Sequence, residues 1–237
     1  MPTASMAMTE TVTPEALYRL MAWMSPAYPT GAYSYSHGIE AAVAEDMVCD
    51  RATLVAWCEH ILRHGAGWVD AVLLAQTYNA AASDDWIAIA DLTELAAAMR
   101  GTREAGLESV QQGAAFLTAT RAAWPDARLD KLMAICEGQA LALPIAVAVS
   151  AVGRVPKAFI VAAYLQSFAA NLISAAVRLI PLGQTDGQGA IADLAPIVAS
   201  VASAAIAAAI DDLGTAAPMV DWTGMFHETQ HTRLFRS

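Results

Sequence analysis

Apolar residues recur along this chain at the three- and four-residue spacing of a helix, and no stretch alternates convincingly with period two. In the run Asn171–Gln188, Leu172, Ala175, Ala176, Leu179 and Ile180 fall on one stripe. Pro181 has no N–H to donate and disfavours helix at the residue before it, so the spacing predicts a helix that stops near Ile180. Leu182–Gly187 then reads as a tight turn in which Thr185 or Asp186 caps the next helix. Arg178 is a permanent cation in this apolar run. If buried, it needs a carboxylate or several carbonyls, because an unpaired buried charge is costly. Carbonyls of nearby helix ends are one solution, and a place at a subunit contact is the other reading.

Similar punctuation divides the rest. Residues 1–12 read as a flexible lead-in. Thr13, Pro14 and Glu15 give a cap, a proline at the first helical position and an acid in the first turn, ahead of a stripe of Leu17, Leu20, Met21 and Met24. Pro26, Pro29 and Gly31 break that helix, and a new one is expected around Gly38–Glu45, with Glu40 in its early turns. Asp50 caps Arg51–His64, Gly65–Gly67 punctuates, and Trp68–Ala82 follows. Asp84 or Asp85 opens a helix through Met99. Thr102–Ala123 carries Arg103, Glu104, Glu108, Gln111 and Gln112 on a more polar face. Asp126–Ala151 reads as a helical pair or one helix kinked at Pro144. Pro156 restarts the chain toward Ile180, and Ala190–Ile210 is the last core helix. Usage rich in Ala and Leu and poor in Val favours helix, so the predicted fold is all-α, a single-domain bundle of about ten helices with short connections. The predicted organisation is 1–12, 13–213 and a tail, 214–237, whose polar, basic-ended sequence is expected to be disordered alone and to dock on a partner.

Composition sharpens this picture. A chain of 237 residues can bury roughly 70–75 % of its unfolded surface around one core. It is 57 % apolar and 15 % charged, a surplus that suggests large buried protein–protein surfaces. A net charge of -10 argues against nucleic acid, whose phosphates call for clustered Lys and Arg. Cys49, Cys58 and Cys136 are an odd number without CxxC spacing and read as reduced cytosolic thiols. The first dozen residues lack the basic and apolar regions of a signal peptide. Ala190–Ile210 imitates a membrane span, but Asp193, Pro196 and its alanine content favour a buried bundle helix, so no membrane association is expected.

No convincing catalytic set emerges. His227–Glu228–Thr229–Gln230–His231 matches the H-E-x-x-H zinc motif, which would make a hydrolase of His227, Glu228 and His231. It lies in a tail with no downstream third ligand, and the match reads as accidental. His60 and His64 stand i, i+4 beside Glu59; they could bind nickel or zinc at a surface, but two ligands make a weak site and an interaction with the helix C-terminus explains them. Gly183–Gly189 lacks the lysine and the preceding strand of a phosphate loop, and Gly31–Tyr35 lacks the second glycine of a nucleophile elbow. No metal and no cofactor are expected.

Three stretches resemble one family: Asn171–Gln188 (NLISAAVRLIPLGQTDGQ), Ser25–Glu40 (SPAYPTGAYSYSHGIE) and His227–Ser237 (HETQHTRLFRS). Their order and spacing are similar to those of the urease accessory protein UreF family. Tyr28, Thr30, Tyr33, Trp222–Phe226 and His231 depart from its usual pattern. The resemblance implies a cytoplasmic, non-enzymatic homodimer, a chaperone in nickel metallocentre assembly that bridges a UreD/UreH-type accessory protein and the GTPase UreG to activate apo-urease. It implies that His227, Glu228, Thr229, Gln230, Arg233, Leu234, Phe235 and Arg236, with the N-terminal helix, meet the UreD/UreH-type partner. Pro29, Gly31, Tyr33, Ser34, Tyr35 and Glu40 would face UreG. Asn171, Arg178, Gln184, Thr185 and Asp186 would hold the fold or the dimer contact. A rival implication is a GTPase-activating protein with Arg233, Arg236 or Arg103 as the finger residue.

Overall fold

The computed structural model describes residues 11–137 and 139–237. Among them are eleven α-helices and no strand: α1 (Pro14–Trp23), α2 (Ile39–Ala44), α3 (Arg51–His64), α4 (Ala66–Ala82), α5 (Trp86–Ala98), α6 (Arg103–Ala123), α7 (Ala127–Ile135), α8 (Leu143–Ala151), α9 (Lys157–Val177), α10 (Gln184–Ala207) and α11 (Pro218–His227). The all-α bundle expected from periodicity is what forms. Most of the predicted lead-in lies outside the described residues.

Local chemistry sets many boundaries. Thr13, Asp50, Asp85, Thr102 and Asp126 each accept a backbone N–H from the first turn of α1, α3, α5, α6 and α7. The stretch 126–151 is two helices, and Pro144 does not kink one. It starts α8, where a residue without an N–H leaves no bond unmade. Helix α9 ends at Val177, short of Ile180, and α10 begins at Gln184, ahead of Ala190. Thr185 does not cap α10; Asp186 does, accepting the N–H of Gly183 at 3.3 Å.

The core forms around α8 and α4. From Pro144 to Ala151 every residue of α8 is buried, and Ser150 satisfies its hydroxyl on the Ala146 carbonyl at 2.8 Å. Helices α4, α5, α6, α7 and α9 surround it. Gly113 lets α6 approach the chain entering α8, since a Cβ there would overlap the Leu141 carbonyl oxygen. Helix α10 packs on α9, α3 and α4 through Gly187, Ala190, Leu194, Val198, Val201, Ala202 and Ala205, and Arg51 pairs with Asp193 at 2.6 Å to pin it to α3. The most apolar window of α10 is 33 % buried, so it is not the buried helix expected, but one that covers the core with a single face.

Two expectations at the chain's ends are corrected. The stripe expected on α1 is split: Ala16, Leu20 and Trp23 are buried, while Leu17, Tyr18 and Met21 face outward. Trp23 fixes the inward face by meeting the rings of Phe116 and Trp124 edge-on, each at 6.0 Å. The tail, expected to be disordered alone, contains α11 and returns to the bundle with His227, Phe235 and Ser237 buried. Charged acceptors on the body receive its backbone and side chains, which offsets the ordering cost that its composition alone could not.

A candidate interaction site built by the loop, the tail and α9

The loop 24–38 is shaped by turns that its sequence dictates. Gly31 and Gly38 adopt φ of 77° and 76°, and His37 joins Gly38 in the left-handed region at φ 53°. A Cβ at Gly38 would stand 2.9 Å from the Gly224 nitrogen and the Thr223 hydroxyl, so this glycine is also where α11 crosses the start of α2. The reversal at His37–Gly38 aims Ser36 at the tail and Glu40 into the protein.

Glu40 is buried and organises the tail. Its carboxylate accepts the N–H of Leu234 at 2.6 Å and of Phe235 at 2.8 Å, and it faces Nε2 of His227 at 3.3 Å. The other ring nitrogen of His227 meets Glu104 at 2.7 Å, and the second oxygen of Glu104 meets Arg233 at 2.6 Å. Glu228 accepts the N–H of Glu104 at 3.2 Å, at the start of α6. Buried carboxylates are tolerated here because each is surrounded by donors.

The last residues pair with the loop. Arg236 donates its N–H to the Ser34 carbonyl at 2.8 Å, and Ser36 donates its N–H to the Ser237 carbonyl at 2.7 Å. Arg178 closes the clasp from α9. It donates to the carbonyls of Ser174 at 3.1 Å and Tyr33 at 2.9 Å, and its guanidinium lies 4.3 Å from the centre of the Phe235 ring. Of its two sequence readings, the carbonyl reading describes this contact. Asn171 reaches the Tyr35 carbonyl at 3.4 Å, while the Tyr35 hydroxyl donates to Gln111 and its ring lies 5.7 Å from the Arg236 guanidinium.

Behind the clasp is a cavity of about 290 Å³, lined in part by His37, Asp70, Arg100, Glu104, Glu108 and Tyr164. Asp70 accepts from Arg100 at 2.7 Å and from the Tyr164 hydroxyl at 2.6 Å. Burial, then the Asp70 charge, pushes the Tyr164 phenol well above its ordinary value. Glu108 receives Gln112 at 2.7 Å, Ser237 at 2.9 Å and His37 at 3.0 Å. Trp23 Nε1 and Ser109 Oγ, both on lining residues, are buried without a hydrogen-bond partner among the described residues.

The structure therefore brings together residues that the sequence reading kept apart. Tyr33, Ser34, Tyr35 and Glu40 of the loop, Asn171 and Arg178 of α9, and His227, Glu228, Arg233, Leu234, Phe235 and Arg236 of the tail share one constellation. Pro29 and Gly31 stay in the outer turn; Thr229 and Gln230 bond locally to Phe226 and Thr232. Gln184, Thr185 and Asp186 lie exposed at the start of α10. The zinc pattern is not built: α11 ends at His227, which is wholly buried between two carboxylates, while His231 is exposed. No group of three or more His, Cys, Asp or Glu suited to a metal ion occurs among the described residues. Sequence reading missed Asp70, Arg100 and Tyr164 as members. Glu104 and Glu108 had a signal in the polar face of α6.

The tail has two sides. Its inward side is the set of contacts above. Outward, α11 exposes Met219, Trp222, Met225 and Phe226, with the Trp222 and Phe226 rings stacked at 5.5 Å, and Leu234 and Tyr33 are 63 % and 66 % exposed.

The family model of UreF matches residues 48–195. A protein of Rhodopseudomonas palustris strain BisA53 described as urease accessory protein UreF is 48 % identical over 223 residues, covering 94 % of this chain and 93 % of the relative. One so described from strain BisB18 is 49 % identical, covering 94 % and 92 %. Another from Bradyrhizobium sp. strain BTAi1 is 45 % identical over 237 residues, covering 100 % of this chain and 98 % of its own.

Proposed function

This chain belongs to the UreF family, as the match of its family model and of near full-length relatives requires, and we propose that it serves urease maturation as a non-catalytic adaptor. In this reading it bridges a UreD/UreH-type accessory protein and the GTPase UreG in the cytoplasm, so that nickel, as cargo, reaches apo-urease. A homodimer follows from the family resemblance.

The observation that carries the reading is the division of labour in the tail. His227, Arg233, Leu234, Phe235, Arg236 and Ser237 are partnered within the chain, yet the tail leaves a Met- and Trp-bearing face open to solvent. Exposed aromatic and methionine side chains on a rigid support are the composition of interface cores. The α1 side chains Leu17, Tyr18 and Met21 add a second open apolar stripe.

The test is light scattering on size-exclusion fractions, using the full chain mixed with a UreD/UreH-type protein, then with UreG. The variants are Trp222→Ala/Phe226→Ala on the tail's outer face and Tyr33→Ala on the loop. Co-elution of the full chain, lost in the tail variant for the UreD/UreH-type partner, supports the adaptor. A chain that elutes alone with every partner sinks it.

A second reading, regulation of GTP hydrolysis, is favoured by Arg103. It is exposed at the start of α6 and has no ion-pair partner among the described residues, whereas Arg233 is held by Glu104. It predicts that this protein changes the hydrolysis rate of UreG and that Arg103→Ala removes the change.

A further inference from the structure

Two histidines of α3 take no part in the clasp. His60 and His64 stand on successive turns of one helical face, their ring centres 5.2 Å apart and their planes inclined by 53°. His60 is half-buried and His64 is exposed. Among the described residues, neither imidazole has a hydrogen-bond or ion-pair partner, and the two rings face each other. The neighbouring carboxylate, Glu59, is engaged by Arg63 at 2.8 Å, so no acid claims either ring and the nearby guanidinium is neutralised.

We infer that His60 and His64 form a two-imidazole surface site for one divalent first-row transition ion of the nickel, copper and zinc class, with water completing its shell. Two imidazoles bound to a common ion at about 2.1 Å through one nitrogen each place their ring centres about 5 Å apart. The observed separation already has that value, so binding requires ring rotation and no movement of backbone. Helix α3 is a stiff platform, capped by Asp50 at its start and packed on α4, α9 and α10. Neutral imidazole selects this class of ion over magnesium or calcium, which take oxygen ligands. Two protein ligands leave open positions, so the ion exchanges readily and a third donor from another molecule could complete the shell.

The site also has a defined place. Ile61 and Gly65, the residues following the two histidines, line the cavity behind the clasp, and the His64 carbonyl accepts the Ala216 N–H at 2.8 Å on the approach to α11. The inference rests on this geometry and is independent of the adaptor reading.

Isothermal titration of tag-free, full-length protein with Ni²⁺ tests it. One ion per chain is expected, with affinity reduced at least about tenfold in His60→Ala and in His64→Ala. His231→Ala, which removes another exposed imidazole, should bind as the parent does. Selective paramagnetic broadening of the His60 and His64 ring protons by Ni²⁺ separates ligation from an indirect effect of substitution, and circular dichroism verifies that the variants are folded. No uptake at about 1 mM free Ni²⁺ overturns the inference. So does uptake that His64→Ala leaves intact, because the ion would then sit elsewhere.

Discussion

The carboxylate of Glu40 accepts the backbone N–H of Phe235 at 2.8 Å across a separation of 195 residues. With Leu234 bonded to the same group, one side chain near the start of the chain holds the other end in place. Hydrogen bonds to a charged acceptor contribute about 1.5–3 kcal/mol each, and a donor left buried without one costs a similar amount. Glu40→Ala is therefore expected to destabilise the protein by about 3 kcal/mol or more, read from urea unfolding followed by circular dichroism, and to make the tail sensitive to limited proteolysis. A midpoint equal to that of the parent would show that the clasp contributes nothing to stability.

His37 gives the clasp a pH dependence. Burial alone lowers its proton affinity, but Glu108 at 3.0 Å and then Asp70 outweigh this, and the net value is raised despite Arg100. The folded protein thus holds this proton more tightly than the unfolded chain, whose histidines titrate near pH ~6.5. The stabilisation is complete below that pH and is lost as pH rises through the raised folded value. The thermal midpoint should accordingly fall on the alkaline side of pH ~6.5 by more in the parent than in His37→Asn. Parallel curves for the two proteins would refute the assignment.

Gly113 is expected to tolerate no side chain. Its missing Cβ is occupied by backbone of residues 141–143, which cannot rotate away as a flexible side chain could. Gly113→Ala should cost about 3 kcal/mol through overpacking, although alanine is the better helix former. A half-buried glycine in the same helix, Gly106, has room for a Cβ, which would stand 3.7 Å from the Arg100 Cβ, and Gly106→Ala should be neutral or slightly stabilising. Equal unfolding midpoints for the two variants would contradict this packing.

The three thiols should separate by reactivity. Cys49 is exposed, whereas Cys58 and Cys136 are buried, and burial pushes the Cys58 thiol up to about 12. Thiolate is the reactive form. A chromogenic disulfide reagent at pH 8 should therefore label one thiol promptly in native protein and the other two on unfolding. Prompt labelling of all three would show that the packing around α3 and α7 is open.

What could be read from sequence was chiefly local. Thr13, Asp50 and Thr102 announce helix starts because a cap needs only the next three residues, and Pro144 marks a boundary for the same reason. The split face of α1 was less legible. Leu17 and Met21 look like core by spacing, but Trp23 is the bulkier anchor, and its pocket against Phe116 and Trp124 is built by distant chain. The clasp was half visible. Glu40, Arg178 and Phe235 could each be singled out by resemblance, but nothing local says that Glu40 holds Phe235, or that Arg178 stacks on it. The tail misled because its composition cannot support a core of its own, while the acceptors that order it lie on α2 and α6.

The separation between Glu40 and Phe235 has a consequence for when the molecule becomes complete. During synthesis residues 34–40 emerge long before residues 227–237, and the buried core between them draws mainly on α3 to α10. Once it has folded, the tail closes over a short distance from α10, so the remaining loop entropy is small. The clasp therefore waits for residues 227–237, and any face that combines loop and tail is absent from a chain that lacks them. A partner that needs both loop and tail meets its complete surface only after residues 227–237 have been made.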